Sequence, residues 1–277
     1  MRFPNNFLYD GRVTDSYSVN AEWYAALIAP WQEGMDNAVR QLLGPIDGGA
    51  VVDIASGVGT GLPLLHELGA ERLYAVEPSE AMRIGLMTTV ARDPRLMGAT
   101  TIVPHAFPQA SELLPTEWSA GVMLNALGHL NDTDREALWA TVAQRLTPGG
   151  RFVLSLQPPE AVTEVPWADF GSVHIGDYIL QTRGKAEPLS GTHVEWTMEW
   201  TLMDQDRAVI DARTTTYPWR VLSQDQVVDE ASRHGLVEVH GEAIPTFVAL
   251  EKPVQMVSNY FVKKSFGPVM FPSLSYK

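Results

Sequence analysis

The sequence predicts an α/β fold: a doubly wound, mostly parallel sheet with an antiparallel last strand and a small antiparallel β insertion. Three patterns predict it. Short apolar runs alternate with helical segments between residues 50 and 157, as strands covered by helices on both faces require. A turn of small residues, Ala55, Gly57, Gly59 and Gly61, follows the first run directly. From residue 192 onward the period shortens to two, with "THVEWTMEWTLMD" and "RAVIDARTTTYPWRV" alternating apolar and polar residues, the mark of an antiparallel hairpin.

Residues 19–43 carry apolar residues at helical spacing, interrupted at Pro30. Proline removes a helical N–H and crowds the preceding turn, so two helices with a kink or a short connection are expected there. "IDGG" (46–49) closes this unit. The runs 50–55, 72–77, 99–105, 118–127 and 151–157 are the expected strands, with helices at 62–70, 79–92 and 133–146. The last helix opens on "NDTDRE", whose cap-forming and acidic residues suit a helix N-terminus. "TPGG" (147–150) reads as a helix stop and a turn.

Residues 158–192 are rich in Pro, Gly and polar residues and show no clear period. Residues 223–235 read as a capped helix closed by Gly235, and 236–252 as two strands joined by a short turn. No structure is assigned to 253–277. The expected organisation is a helical cap (1–45), a sheet domain in two pieces (46–157 and 222–253), an inserted antiparallel β subdomain (158–221) that serves as acceptor lid or oligomer surface, and a tail (254–277).

The chain has 277 residues, 45% of them hydrophobic and 19% charged, enough to bury a full core. A formal charge of -13 repels a phosphate backbone or an anionic membrane, so neither nucleic acid nor membrane is an expected partner and a small neutral or cationic molecule is. The absence of cysteine excludes disulfides, cysteine-rich zinc sites and a thiol nucleophile. "MRFPNNFLYDGRV" has neither the basic cap nor the apolar core of a signal peptide, and no apolar run approaches the roughly 20 residues that span a bilayer. A cytoplasmic location is expected.

In a doubly wound sheet ligands bind beyond the carboxyl ends of the strands, where the strand order reverses. The first run ends beside Asp53, and Gly57 and Gly59 let a ligand approach the backbone where a Cβ would hold it off. Glu77, closing the second run, falls where an acidic residue roughly 20 positions on accepts from two ribose hydroxyls. The spacing D-x-A-x-G-x-G-x-G differs from the dinucleotide form G-x-G-x-x-G, and an acidic neighbour suits a cationic amine better than a pyrophosphate.

The segments "VVDIASGVGTG", "LYAVEPSEAM", "MLNALGHLND" and "RLTPGGRFVLSL" resemble, in order and separation, the successive motifs of the class I S-adenosylmethionine (SAM)-dependent methyltransferases. The resemblance covers about residues 45–160, plus 236–252 for the antiparallel end of the sheet. It implies a Rossmann-like domain and SAM as cofactor. On that pattern Ala55, Ser56, Gly57 and Gly59 wrap the methionine part, with Asp53 near its amine. Glu77 holds the ribose, Pro78 and Met82 flank the adenosine, and Asn125 offers its backbone carbonyl to the amine. The family's usual acidic contact to adenine after the third strand is missing, since the chain reads "VPHAF"; His105 and Ala106 stand there instead, with backbone amides to offer.

The insertion ahead of the last helix looks like that of small-molecule N-methyltransferases acting on glycine, sarcosine or amino sugars, many of which are oligomers; a homo-oligomer is therefore open. The expected activity is methyl transfer to a nitrogen of a small metabolite. Two alternatives stay beside it: an O-methyltransferase of a specialised metabolite using a His base, and a methyltransferase-fold protein with another reaction or a binding role. A hydroxyl acceptor needs a base nearby, and His129 and His105 are the candidates; His174 and His193 read as surface residues. Tyr17, Tyr24, His129 and Glu195 are the candidates to meet the acceptor. Glu195 and Glu199 share one strand face, either solvated or turned to a cationic acceptor, while Trp196 and Trp200 share the other and are expected to pack on the core. Trp23 and Trp31 read as helix-face core or as part of a lid. The chain lacks an "N/D-P-P-Y/F" motif after the fourth strand, which disfavours nucleic-acid methylation.

Overall fold

The structure is a computed structural model and describes residues 15–239 and 244–254. A 3-10 turn (Ser16–Val19) leads into α1 (Ala21–Leu43). There follow β1 (Ala50–Ile54), α2 (Leu62–Glu67), β2 (Arg72–Val76), α3 (Glu80–Arg92), α4 (Pro94–Ala99), β3 (Thr100–Val103), β4 (Trp118–Met123), α5 (Asp132–Arg145) and β5 (Leu146–Ser155). After β6 to β9, described below, come α6 (Gln224–Ser232), β10 (Val237–Glu238) and β11 (Phe247–Glu251). The main sheet runs β10-β11-β5-β4-β1-β2-β3. Its five central and edge strands β5, β4, β1, β2 and β3 pair in parallel, and β11 pairs antiparallel to β5. The doubly wound sheet with an antiparallel end is therefore present, and the strand order reverses between β1 and β4. Part of the turn expected within 236–252, and the tail from 255 on, lie outside the described residues.

Alternate residues of β1 enter two cores. Val51 packs with Leu62, Leu73 and Leu86 on one side of the sheet, and Val52 with Trp118, Trp139 and Phe152 on the other. Both layers exclude water, which is what makes parallel strands read as unbroken apolar runs. α5 and α6 are joined by Arg135, 2% exposed, whose guanidinium donates to both carboxylate oxygens of Glu230 at 3.0 and 3.1 Å.

Two expectations are corrected. First, α1 is a single helix through Pro30. Pro30 is exposed, and the buried residues Trp23 at one end and Val39 and Leu43 at the other hold both halves on the body despite a cost of about 3 kcal/mol. Second, helix α5 stops at Arg145, but "TPGG" lies within β5 as an irregularity: Trp118 pairs with Leu146 and Ala120 with Arg151. The expected antiparallel insertion is present, and the stretch 158–192, to which no individual strand was assigned, supplies two of its strands, β6 (Val165–Ile175) and β7 (Tyr178–Pro188), which join β8 (His193–Met203) and β9 (Val209–Arg220) in a sheet of order β6-β7-β8-β9. β6 is an edge strand burying no residue, and the buried face of β7 is Leu180, Thr182, Gly184 and Ala186. Small and polar residues there leave no apolar alternation to detect.

Two of the contacts that tie the second sheet to the body come from β9. Trp219 of β9 lies against the backbone of Gly128, where a Cβ would come within 2.3 Å of the indole. Arg213 of β9 places its guanidinium 3.8 Å from the centre of the Trp23 ring and donates to Glu22 and Asp211 at 2.9 and 2.8 Å.

Candidate active site

The loop after β1 departs from extended backbone at once. Ala55 has φ 61°, Gly57 56° and Gly59 79°, so three residues in five sit in the left-handed region, and Ala55 does so without being glycine, a strain that elements on both sides must hold. Ser56 N donates to the Val76 carbonyl at 3.0 Å. Gly57 N donates to Glu77 Oε2 at 2.8 Å, and Ser79 N to Glu77 Oε1 at 2.8 Å. Glu77 thus clamps the loop to the start of α3. A Cβ on Gly59 would come within 2.5 Å of Leu86, whereas at Gly57 the nearest atom would be Tyr24 at 3.8 Å; Gly59 serves packing, and Gly57 leaves its backbone open to the space beneath Tyr24.

Asp53 is 6% exposed and borders that space. None of the hydrogen bonds among the described residues reaches its carboxylate. Burial, and then the neighbouring Glu77 carboxylate, push its pKa up to about 7. Glu77 is raised to about 6, burial outweighing its two backbone N–H donors. An unpaired carboxylate at this depth is costly unless a cation completes it. Across the strand switch, Asn125 follows β4 with φ 50°; Ser155 Oγ donates to Asn125 Oδ1 and accepts from Asn125 N, both at 2.9 Å.

These residues form the floor of a cavity of about 430 Å³. Its floor includes Asp53, Ala55, Ser56, Gly57 and Asn125, and α1 contributes Tyr24, Trp31 and Asp36. The inner face of the second sheet supplies the roof: Phe170, Trp196, Met198, Trp200, Thr215 and Tyr217. Two carboxylates, Asp36 and Asp53, and no Lys, Arg or His line it among the described residues. Asp36 accepts from Gln32 Nε2 at 2.6 Å, and its pKa is raised, chiefly by burial.

Of the residues singled out in the sequence, Asp53, Ala55, Ser56, Gly57, Asn125, Tyr17 and Tyr24 meet at this cavity. Glu77, Pro78 and Met82 lie beside it at the start of α3, behind the N-terminal turn, where Ser79 Oγ donates to Asp15 Oδ2 at 2.7 Å. Gly59 stands behind the loop. His105 is exposed just beyond β3, with Ala106 half-buried after it. His105 does not reach the cavity, so a base there is excluded for an acceptor bound inside it.

His129 is also outside the wall. It ends a 3-10 turn after β4, with its Nε2 3.1 Å from Tyr17 Oη and its ring edge-on to Trp219 at 4.8 Å. One side of the ring is open to solvent, yet the aromatic surroundings take it out of bulk water and depress its pKa to about 4. It is neutral near pH 7, and two residues of the cavity wall stand between it and the cavity: Tyr217, whose ring centre is 6.0 Å from its own, and Tyr17, whose own pKa burial raises well above its ordinary value.

Glu195 is corrected. It is exposed on the face of β8 opposite the cavity, and on that face Glu199 pairs with Arg183 at 2.6 Å, so the acidic face is a solvated one. The tryptophan face is the one that lines the cavity. Trp23 is core, 5% exposed, whereas Trp31 belongs to the cavity wall. Asp36, Phe170, Thr215 and Tyr217 were not assigned to the site from sequence. The available signal was register: Trp196 pairs with Tyr217 and Met198 with Thr215, so choosing the Trp face selects its partners on β9. Among the described residues no group of three His, Asp or Glu side chains is placed to hold a metal, and no helix is long and apolar enough to cross a membrane.

Among solved structures, DesVI from Streptomyces venezuelae matches with a TM-score of 0.65 and 19% identity over 88% of this chain and 100% of that one. The sugar N-methyltransferase KedS8 from Streptoalloteichus sp ATCC 53650 matches with a TM-score of 0.62 and 16% identity over 92% of this chain and 99% of that one. SAM-bound CalS10, an amino pentose methyltransferase from Micromonospora echinaspora, matches with a TM-score of 0.61 and 15% identity over 80% of this chain and 89% of that one. No family model and no curated protein sequence matches the chain. The fold is that of SAM-dependent methyltransferases.

Proposed function

We propose that the chain is a SAM-dependent methyltransferase that transfers a methyl group to the nitrogen of a small-molecule amine. The observation that carries this is the pairing of a buried, unpartnered Asp53 and an open Gly57 backbone on the cavity floor with an aromatic roof and no lining cation. Donor set and space fit the cofactor. Asp53 accepts from the ammonium of its methionine part, and Ala55, Ser56 and Gly57 let that part lie against the backbone. Asn125, held by Ser155, turns a carbonyl to the same amine. Glu77 retains acceptor capacity for ribose hydroxyls beyond its two backbone donors. Pro78 and Met82 flank the adenosine, with the backbone at His105 and Ala106 on its far side. SAM supplies, when bound, an electrophilic methyl group on a sulfonium.

The remaining work falls to the protein: holding the acceptor in line and keeping water out. Trp31, Trp196, Trp200 and Tyr217 present apolar walls and π faces that favour cationic groups. An amine must shed its ammonium proton before it attacks. A hydroxyl acceptor would need a base in direct contact, and no imidazole lines the cavity among the described residues. The match to KedS8 and CalS10, methyltransferases of a sugar and an amino pentose, supports nitrogen on a small molecule.

Incubation with methyl-labelled SAM and matched panels of primary amines and alcohols tests this. Label in amines is the expected result. Label confined to alcohols overturns the choice of nitrogen, and SAM binding without label in any acceptor favours a binding role.

A further inference from the structure

We propose that the inner face of the second sheet is an acceptor subsite whose occupant is an amine carried on an oxygen-bearing, largely apolar framework lacking phosphate and carboxylate. This builds on the methyltransferase reading above and narrows it to a substrate class. The first observation is a set of incomplete polar groups. Trp196 Nε1, Trp200 Nε1 and Thr215 Oγ1 are buried without a hydrogen-bond partner, although their residues are only 4%, 2% and 7% exposed. A wall meant only for packing is better built from Phe and Val, because a buried donor with no acceptor loses its water and gains nothing. Strand register sets these residues side by side: Trp196, Met198 and Trp200 alternate along β8, and Thr215 stands opposite Met198. Ether, carbonyl or hydroxyl oxygens of a ligand on this face complete two indole donors and one hydroxyl.

The second observation is charge. Asp36 and Asp53 line the cavity without a compensating lining cation. Arg213, the cation on the same sheet face, is already committed to Asp211, Glu22 and the Trp23 ring. With Asp53 taken by the cofactor's ammonium, an anionic acceptor group would still be desolvated against the Asp36 carboxylate with no lining cation, whereas an ammonium is attracted by Asp36 and by the ring faces.

The third observation is room. A Cβ at Gly184 would meet Met198 Sδ at 2.6 Å and Phe170 Cε2 at 2.8 Å, so glycine is what lets these two side chains lie across the sheet. Past Phe170 and Trp31 lies a second cavity of about 150 Å³ bordered by Thr182, whose Oγ1 is again buried and unpartnered. Thr182 pairs with Trp200 across β7 and β8. Unpartnered polar atoms therefore extend from the first cavity to the wall of the second, which shares Trp31 and Phe170 with it.

The test is calorimetric titration of the protein, saturated with S-adenosylhomocysteine, with tyramine and with tyramine O-phosphate, which share amine and ring and differ by the phosphate. Tyramine is expected to bind at least about tenfold more tightly than its phosphate ester. Thr215→Val, which keeps the side chain's shape, and Trp200→Phe, which removes the indole N–H together with part of the ring, should each weaken tyramine by about three- to tenfold and leave S-adenosylhomocysteine affinity within about twofold. No tyramine binding at millimolar concentration, equal or tighter binding of the ester, or unchanged tyramine affinity in both variants overturns the subsite. Failure of the wild-type protein to bind S-adenosylhomocysteine overturns the cofactor reading instead, so the two failures are distinct.

Discussion

Asp53→Asn should raise the stability of the free protein while weakening its hold on the cofactor. In the folded chain burial and then Glu77 push the Asp53 carboxyl from 3.8 to about 7, whereas in the unfolded chain it titrates near about 4. The folded state therefore holds the proton more tightly than the unfolded one between about pH 4 and pH 7. Stability falls as pH rises across that window and stays lowered above it. Counted in full, the displacement is worth roughly 4 kcal/mol; because Asp53 borders a cavity with a polar floor, about 1–3 kcal/mol is the working magnitude. Asparagine has the same shape and no charge to bury, so the variant should exceed the wild type by that amount at about pH 8, the gain shrinking toward zero near about pH 4.

Urea unfolding of both proteins across this range, with and without S-adenosylhomocysteine, reads it out. The ligand should stabilise the wild type by mass action and the variant much less, since an amide oxygen still accepts from the ammonium but carries no charge to neutralise it. A gain independent of pH, or a variant less stable than the wild type at about pH 8, would refute the view that Asp53 is an unpaired buried carboxylate awaiting a cation.

Three further outcomes follow from contacts. Gly128→Ala drives a Cβ into the rigid Trp219 indole, 2.3 Å away at its nearest atom, and should cost about 1–3 kcal/mol by overpacking; an unchanged thermal transition would mean the close approach is absent. Ser155→Ala removes both hydrogen bonds that hold Asn125 in its left-handed conformation, and should weaken S-adenosylhomocysteine about tenfold at a stability cost of about 1–2 kcal/mol; titration and denaturation together check it. Arg135→Ala strands Glu230 beside Trp139 and should destabilise by about 3 kcal/mol, with cofactor affinity unchanged in the protein that remains folded.

The parts that sequence conveyed are those where chemistry and backbone conformation coincide in one short segment. "DIASGVG" shows its strand end, its acid and its glycines together, and Glu77 is found by distance along the chain. The parts it hid depend on partners far apart. β7 buries Leu180, Thr182, Gly184 and Ala186, a face with one strongly apolar residue. Pro30 is tolerated in α1 because residues at both ends of the helix are buried, which no local rule contains. Glu195 and Trp196 show the limit most clearly. Their alternation was legible, but which face meets the cavity is decided by how β8 lies over α1 and the β1 loop. His129 was found in the right loop and placed one contact too close, since Tyr17, 112 residues away in sequence, intervenes.

The most direct test is calorimetric titration of the wild-type protein and of Glu77→Ala with SAM and S-adenosylhomocysteine. One-site binding in the micromolar range by the wild type, weakened by about 1–3 kcal/mol in Glu77→Ala as ribose contacts and the Gly57 clamp are lost, is the predicted result. No binding of either nucleotide to the folded wild-type protein would contradict it.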